Sequence, residues 1–194
     1  PAFSADEARE FLTGAGAVFH MPATEDELLD EVAAAIEAGK VVGFFHGPME
    51  FGPRAMGNRS ILADARNAKM QSLLNRKIKF RESFRPFAPS VLAEQAQRWF
   101  DLPEGVESPY MLLTAPVRGA AIGRGGDDEA GADGADIVAR LEAAAAAAGS
   151  KIPAVTHVDG SARLQTVDAQ RHGRFHRLLK RFEQRTGCGV MINT

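Results

Sequence analysis

Thr24-Glu-Asp-Glu-Leu-Leu-Asp-Glu-Val-Ala-Ala-Ala-Ile-Glu-Ala-Gly-Lys-Val-Val-Gly-Phe-Phe45 contains a complete helix signal followed closely by a strand signal. Thr24 to Glu27 is a capping box, in which a hydroxyl and a carboxylate each satisfy a backbone N–H at the helix start. Leu28, Leu29, Val32 and Ile36 form an apolar stripe at helical spacing, and Gly39 is placed to stop the helix. Val41 to Phe45 is then a short, wholly apolar run, read as a buried strand. A helix that must bury one face beside such a strand is an α/β unit, and the predicted fold class is α/β.

Working outward, Asp6 to Leu12 is a short helix ended by Gly14-Ala-Gly16. Ser60 to Ala63 reads as a strand, and Asp64 or Asn67 caps a helix through Met70, Leu73 and Leu74 to about Lys77. Pro86 to Leu92 is a strand interrupted by prolines and is expected at a sheet edge. Ala93 to Phe100 is a helix with Trp99 and Phe100 in the core, and Tyr110 to Val117 is an apolar strand. From Arg118 to Asp136 composition shifts to Gly, Ala and Asp, which reads as a flexible insertion. Ile137 to Ala148 is an alanine-rich helix, Pro153 to Asp159 a strand and Gly160 to Thr166 a tight loop. Phe175, Leu178, Leu179 and Phe182 stripe a strongly basic helix closed by Gly187, its basic face read as solvated, and Cys188 to Asn193 is a final strand.

With 194 residues and 45% hydrophobic content, one domain with a substantial core is expected. The net charge of -2 supplies no general attraction to nucleic acid or anionic membrane, so any positive site must be local. The one cysteine, Cys188, forms no internal disulfide, fits a reducing cytoplasm and reads as a buried small apolar residue. No run approaches the roughly 20 apolar residues of a membrane span, and the N-terminus lacks a signal-peptide layout. The chain starts at Pro1 without an initiator Met and is expected to be a piece of something longer.

Three stretches carry cations and small residues together. His46 to Ser60 is a loop in which Gly47, Gly52 and Gly57 permit close backbone approach, Pro48 and Pro53 stiffen the chain, and Arg54 and Arg59 add charge. Lys77-Ile-Lys-Phe-Arg-Glu-Ser-Phe-Arg-Pro-Phe-Ala-Pro-Ser90 gathers Lys77, Lys79, Arg81 and Arg85 among apolar anchors. Taken alone, that alternation also describes any half-exposed strand. Gly160 to Arg163 is the third. Arginine grips two phosphate oxygens with one planar fork and lysine places a mobile point charge, so convergence of the three loops would make a pocket for a polyanion. Backbone N–H groups and the Ser161 hydroxyl would complete the cradle.

Glu50-Phe-Gly-Pro-Arg-Ala-Met-Gly-Asn-Arg-Ser-Ile-Leu-Ala-Asp64, Leu74-Asn-Arg-Lys-Ile-Lys-Phe-Arg81 with Phe84-Arg-Pro-Phe-Ala-Pro-Ser90, and Thr156-His-Val-Asp-Gly-Ser-Ala-Arg-Leu-Gln-Thr166 together resemble the C-terminal half of the antibiotic and nodulation-factor O-carbamoyltransferases. The resemblance runs from about Ala23 to Thr194. It implies a YrdC-like α/β domain with a twisted mixed sheet flanked by helices, without the N-terminal actin and sugar-kinase type domain, where the family's iron site lies. It further implies that this domain makes carbamoyl adenylate from carbamoyl phosphate and ATP, and that the N-terminal domain passes the carbamoyl group to a small-molecule hydroxyl. Lys79-Phe80-Arg81 matches the Lys-x-Arg motif of YrdC-like proteins, while Ser161-Ala162-Arg163 stands in place of Ser-x-Asn, ending in Arg.

The resemblance together with the charge of the reactants makes Lys79, Arg81 and Arg54 the catalytic cations and gives Arg85, Ser161, Arg163, Asn58 and Arg59 to substrate or nucleotide, with His157 as a further hydrogen-bonding candidate although a lone strand histidine is more often structural. Pro48 and Met56 depart from the usual residues of the motif, and the family continues past Asn193-Thr194 into Ser-Phe-Asn. Magnesium is expected to arrive with ATP, with no dedicated metal site, and a homodimer is possible. The alternatives are a threonylcarbamoyl-adenylate synthase-like enzyme and a nucleic-acid-binding module of the same fold. The negative net charge and the lack of exposed aromatics interleaved with the basic loops weigh against the second.

Overall fold

The computed structural model describes residues 2–83, 85–120 and 149–194. Most of the expected Gly/Ala/Asp insertion and the alanine-rich helix from Ile137 to Ala148 lie outside the described residues. Helix α1 spans Ala5–Gly14 and α2 spans Glu25–Glu37. Thr24 Oγ1 accepts from the Glu27 amide at 3.2 Å, and the Glu27 carboxylate accepts from the Thr24 amide at 3.3 Å, closing the capping box. Strand β1 is Val42–Phe45 and β2 is Arg59–Asp64, followed by helix α3 (Met70–Lys77) and strand β3 (Ala88–Leu92). A 3-10 turn at Ala93–Gln95 leads into α4 (Ala96–Trp99), and β4 is Leu113–Pro116. After a second 3-10 turn at Pro153–Val155 come β5 (Ser161–Val167), α5 (Ala169–Thr186) and β6 (Val190–Asn193).

The strands form one six-stranded mixed sheet in the order β1-β2-β6-β3-β5-β4. Every neighbouring pair is antiparallel except β3 and β5. The C-terminal strand is therefore central, with Asn193 paired to Leu62 on one side and Ala88 on the other. Helices α2 and α5 pack on each other and both touch the sheet, where Phe175, Leu178, Leu179 and Phe182 join Leu29, Ala33 and Ile36 in the core. Gly187, at φ 72°, ends α5. Trp99, Phe100 and Cys188 are buried, as expected, and burial raises the Cys188 thiol to about 11, so it is not a nucleophile at neutral pH. No helix among the described residues is long and apolar enough to cross a membrane.

Several local readings are overturned by tertiary pairing. The Val41–Phe45 strand is an edge strand in which only Phe44 is buried, because no strand among the described residues pairs on its outer side. Conversely, the proline-bearing strand β3 is interior. Pro89 pairs with Ile192 of β6, while the ladder to β5 starts only at Ser90, so the missing N–H falls where β5 is not yet engaged. Gly160 alone is a turn, at φ 78°, and the small residues after it enter β5 because strands on both sides supply partners that local propensity does not predict. The Pro153–Asp159 segment is no strand. Proline favours the first turn of a helix, and Thr156 Oγ1 donates to the Ile152 carbonyl at 2.9 Å in place of any ladder bond. The Tyr110–Val117 run pairs only from Leu113 onward, in β4 and then in an antiparallel bridge from Val117 to Phe100, since Met111 takes a positive φ of 54°. Neither expected residue caps α3 directly: Asn67 accepts from the Lys69 amide just before the helix, and Asp64 holds Arg66 at 2.7 Å.

The basic face of α5 is not simply solvated. Arg174 and Arg177 both reach Glu25, Arg181 lies 3.0 Å from Asp26, and Arg185 lies 2.7 Å from Glu37. These arginines tie α5 to the acidic side of α2.

Candidate functional site

The loop after β1 is folded around a carboxylate. Glu50 accepts from the Met56 amide at 3.0 and 3.1 Å and from the Asn58 amide at 2.9 Å. The Gly57 amide donates to Ser60 Oγ at 3.0 Å, and Arg59 donates to the Gly52 carbonyl at 3.1 Å. The loop is then fastened to the middle of the sheet. Gln165 donates to the Met56 carbonyl at 2.8 Å, while its own amide oxygen accepts from Ser90 Oγ at 2.7 Å and Asn193 at 3.0 Å. One buried amide on β5 thus couples β3, β6 and the loop. A fully engaged polar group of this kind holds its neighbours in one arrangement.

The second basic stretch leaves α3 at Ile78 and is held from within that helix by Asn75, whose side-chain oxygen accepts from Arg81 Nε at 2.7 Å. Phe80 takes φ 48°, a costly conformation for a bulky residue, and stands 84% exposed between Lys79 and Arg81. The Arg81 guanidinium lies 4.9 Å from the centroid of the Phe87 ring.

The structure sorts the expected site residues into neighbouring groups. Lys79 and Arg59 line one cleft of about 520 Å³, together with Gly43, Phe45, Ala55 and Thr194. Ser161, Arg163 and His157 line a second of about 320 Å³, and its wall includes Phe87, the ring beneath Arg81. Burial, and then the Arg81 charge, lowers Lys79; burial, and then Arg85, lowers Arg81; burial, and then Arg54, lowers Arg163. Each cation is thus destabilised by losing water and by a like charge. Arg85 is partly offset by Glu82 at 2.8 Å. Among the described residues Arg54, Arg59, Lys79, Arg81 and Arg163 make no ion pair, in contrast to Arg66, which its bond to Asp64 raises.

Other expected residues are differently engaged. Asn58 donates to the Pro48 carbonyl at 3.0 Å and lines a third cavity, of about 790 Å³, with His46 and Arg174. Burial, and then Arg174, pushes the His46 imidazole below its ordinary value. Ser161 Oγ donates to Asp159 at 2.7 Å, and His157 Nδ1 lies 3.1 Å from the same carboxylate oxygen. The serine therefore offers lone pairs to a ligand unless it leaves Asp159. Glu50, Asn75 and Gln165 are the positioning groups that motif reading passed over. Their one signal in the sequence is a polar residue set among apolar or loop neighbours. No three His, Cys, Asp or Glu side chains among the described residues gather around a metal-sized space.

The family model for the carbamoyltransferase C-terminus matches residues 33–194. The chain is 45% identical to an uncharacterised protein of Synechocystis over 100% of its own length and 30% of the relative's. It is 37% identical to nodulation protein NolO of Bradyrhizobium diazoefficiens, covering 87% of this chain and 26% of that protein. With the 3'-hydroxymethylcephem-O-carbamoyltransferase of Streptomyces clavuligerus it shares 38% identity over 84% of this chain and 25% of the enzyme. It therefore spans less than a third of each of these curated relatives. Since the match takes in both basic loops and every strand of the sheet, this chain belongs to the carbamoyltransferase C-terminus family.

Proposed function

We propose that this chain is the part of an O-carbamoyltransferase that makes carbamoyl adenylate from carbamoyl phosphate and ATP. The carbamoyl group would then pass to a hydroxyl of a small acceptor on an N-terminal domain. The observation that carries the reading is a charge imbalance: among the described residues Arg54, Arg59, Lys79, Arg81 and Arg163 make no ion pair, while Lys79 and Arg81, and likewise Arg163 and Arg54, stand as like-charge neighbours on a chain whose net charge is -2. Uncompensated, part-buried like charges are costly, and a polyphosphate removes that cost while being gripped by it. Relatives named as 3'-hydroxymethylcephem-O-carbamoyltransferases support the group transferred.

Atom balance sets the chemistry. Water adds to the phosphorus of carbamoyl phosphate as the bond to the carbamate oxygen breaks, its proton leaving on the released phosphate; the carbamate oxygen then attacks the α-phosphorus of ATP as the bond to pyrophosphate breaks. The protein's part is to screen charge and hold the reactants in line, which arginine and lysine do without proton transfer. Lys79 and Arg81 take the nucleotide and acyl phosphates, Arg54 and Arg85 the carbamoyl phosphate, and Arg163 with Ser161 the adenylate. Arg59, beside Lys79, adds to the same field, and Asn58 and His157 supply polar contacts at its margin. Magnesium arrives on the nucleotide, and the reaction runs in the cytoplasm, where ATP is at hand.

Incubation with carbamoyl phosphate and Mg-ATP, followed by pyrophosphate release and nucleotide mass, tests the reading. Carbamoyl adenylate with stoichiometric pyrophosphate is expected. Lys79→Ala and Arg81→Ala should each slow its formation at least about a hundredfold, as loss of a transition-state charge partner does. Full turnover in both variants overturns the assignment.

A further inference from the structure

Asn75 lies in the last turns of α3, is 0% exposed, and organises the whole basic stretch from one point. Its side-chain nitrogen donates to the carbonyls of Ser83 at 2.9 Å and Arg85 at 2.8 Å. Its side-chain oxygen accepts from Arg81 Nε at 2.7 Å, and its main-chain carbonyl accepts from the Arg81 amide at 3.0 Å. Both amide hydrogens of a carboxamide are thereby used, so the side chain has one way to sit. Arg81 is gripped twice, once through its backbone and once through its guanidinium, across the strained residue Phe80.

The grip also selects what Arg81 can do. Nε is taken by Asn75 and one face of the guanidinium covers Phe87, while no protein partner among the described residues holds the two terminal nitrogens. A guanidinium fixed at Nε presents its terminal N–H groups as a rigid pair, the edge that suits two oxygens of one phosphate. A free arginine would have to lose rotamer freedom on binding; this one has already lost it.

We propose that Asn75 is the positioning residue for Arg81, setting the fork that meets the phosphate, in addition to bracing the loop. The proposal rests on the reading that Arg81 binds a phosphate of carbamoyl phosphate or ATP. If Asn75 acts through Arg81, the two side chains are not independent: removing Arg81 leaves Asn75 little to contribute to binding.

The test is a double-mutant cycle on dissociation constants for Mg-ATP and carbamoyl phosphate, measured by calorimetry well below each protein's melting temperature. Arg81→Ala should weaken one ligand by about a hundredfold and Asn75→Ala by about tenfold or more, with Asn75→Ala/Arg81→Ala no weaker than Arg81→Ala alone. Leu29→Ala, a core truncation on α2, calibrates what lost stability alone does to affinity. Should Asn75→Ala not fold, Arg81→Lys asks the same question from the other side, since it keeps the charge but has no Nε for Asn75 to hold; it should bind more weakly than wild type by about tenfold or more. Wild-type affinity in Arg81→Ala overturns the phosphate reading itself. Weak binding in Arg81→Ala combined with wild-type affinity in Asn75→Ala or Arg81→Lys, or with additive losses in the double variant, overturns the positioning role while leaving that reading in place.

Discussion

At Gly57 the backbone takes φ 116°, and a β-carbon built there would lie 2.4 Å from Cδ1 of Phe175. That ring is 1% exposed and packed in the core, so it cannot swing aside without displacing its neighbours. Gly57→Ala combines an unfavourable φ with an overpacked contact and should destabilise by about 3 kcal/mol, read as a lower urea midpoint at unchanged slope. Phe80 has the opposite sign. Its φ of 48° is one that glycine adopts freely, and its ring is too exposed to contribute much burial. Phe80→Gly should therefore stabilise the fold by about 1 kcal/mol, seen as a raised melting temperature. A melting temperature below wild type would mean that the ring packs on something the strain argument omits. The two residues bracket the site: one lets the Gly/Pro loop settle on α5, and the other stores strain between two of its cations.

Between elements, the charges on α2 and α5 act as a seam. Glu25 receives Arg174 and Arg177, and these hydrogen bonds hold its carboxyl below the ordinary carboxylate value. A group whose folded pKa is depressed contributes stability that is complete above its unfolded pKa and is lost as pH falls through the folded one. Stability should thus decline below about pH 4.5, more steeply in wild type than in Glu25→Gln, which should itself cost about 1 kcal/mol near neutral pH. Parallel pH profiles in the two proteins would remove Glu25 from that account. The helices of this seam were legible in the sequence because the capping box at Thr24, the stripe from Phe175 to Phe182 and the stop at Gly187 are each written in local residues. The pairing of their charges was not, since 149 positions separate Glu25 from Arg174. Strands fared by the same rule. β6 announced itself by composition, whereas β5 begins with Ser161-Ala162 after a glycine turn and becomes a strand through the neighbours that β3 and β4 provide. At the site, arginine among glycine and proline made the cations visible. Asn75 and Gln165 stayed hidden because an amide in a helix or strand looks like surface until its partners, from Ser83 to Asn193, are brought to it by the fold.

For the molecule as a whole, a net charge of -2 with a separate group of cations that make no ion pair among the described residues means that electrostatics favours a compact polyanion at one place and opposes long polyanions elsewhere. A ligand that binds the folded state alone stabilises it by RT ln(1 + [L]/Kd), about 2.7 kcal/mol at one hundred times Kd. Mg-ATP and carbamoyl phosphate should each raise the melting temperature by several degrees at saturation, and the shift should shrink strongly in Arg81→Ala and in Arg163→Ala. Arg163 belongs in this test because burial, and then its neighbour Arg54, make its charge costly, a cost that a bound phosphate would reverse. Single-stranded RNA at equal phosphate concentration should give no comparable shift, because the chain as a whole is negative and the affinity gained at a few cations is lost at physiological salt. If RNA instead stabilised the protein with a steep salt dependence while Mg-ATP did nothing, the same cations would belong to a nucleic-acid surface. The melting curves thus read out which anion relieves the charge imbalance, without requiring the acceptor or the rest of the longer relatives to be present.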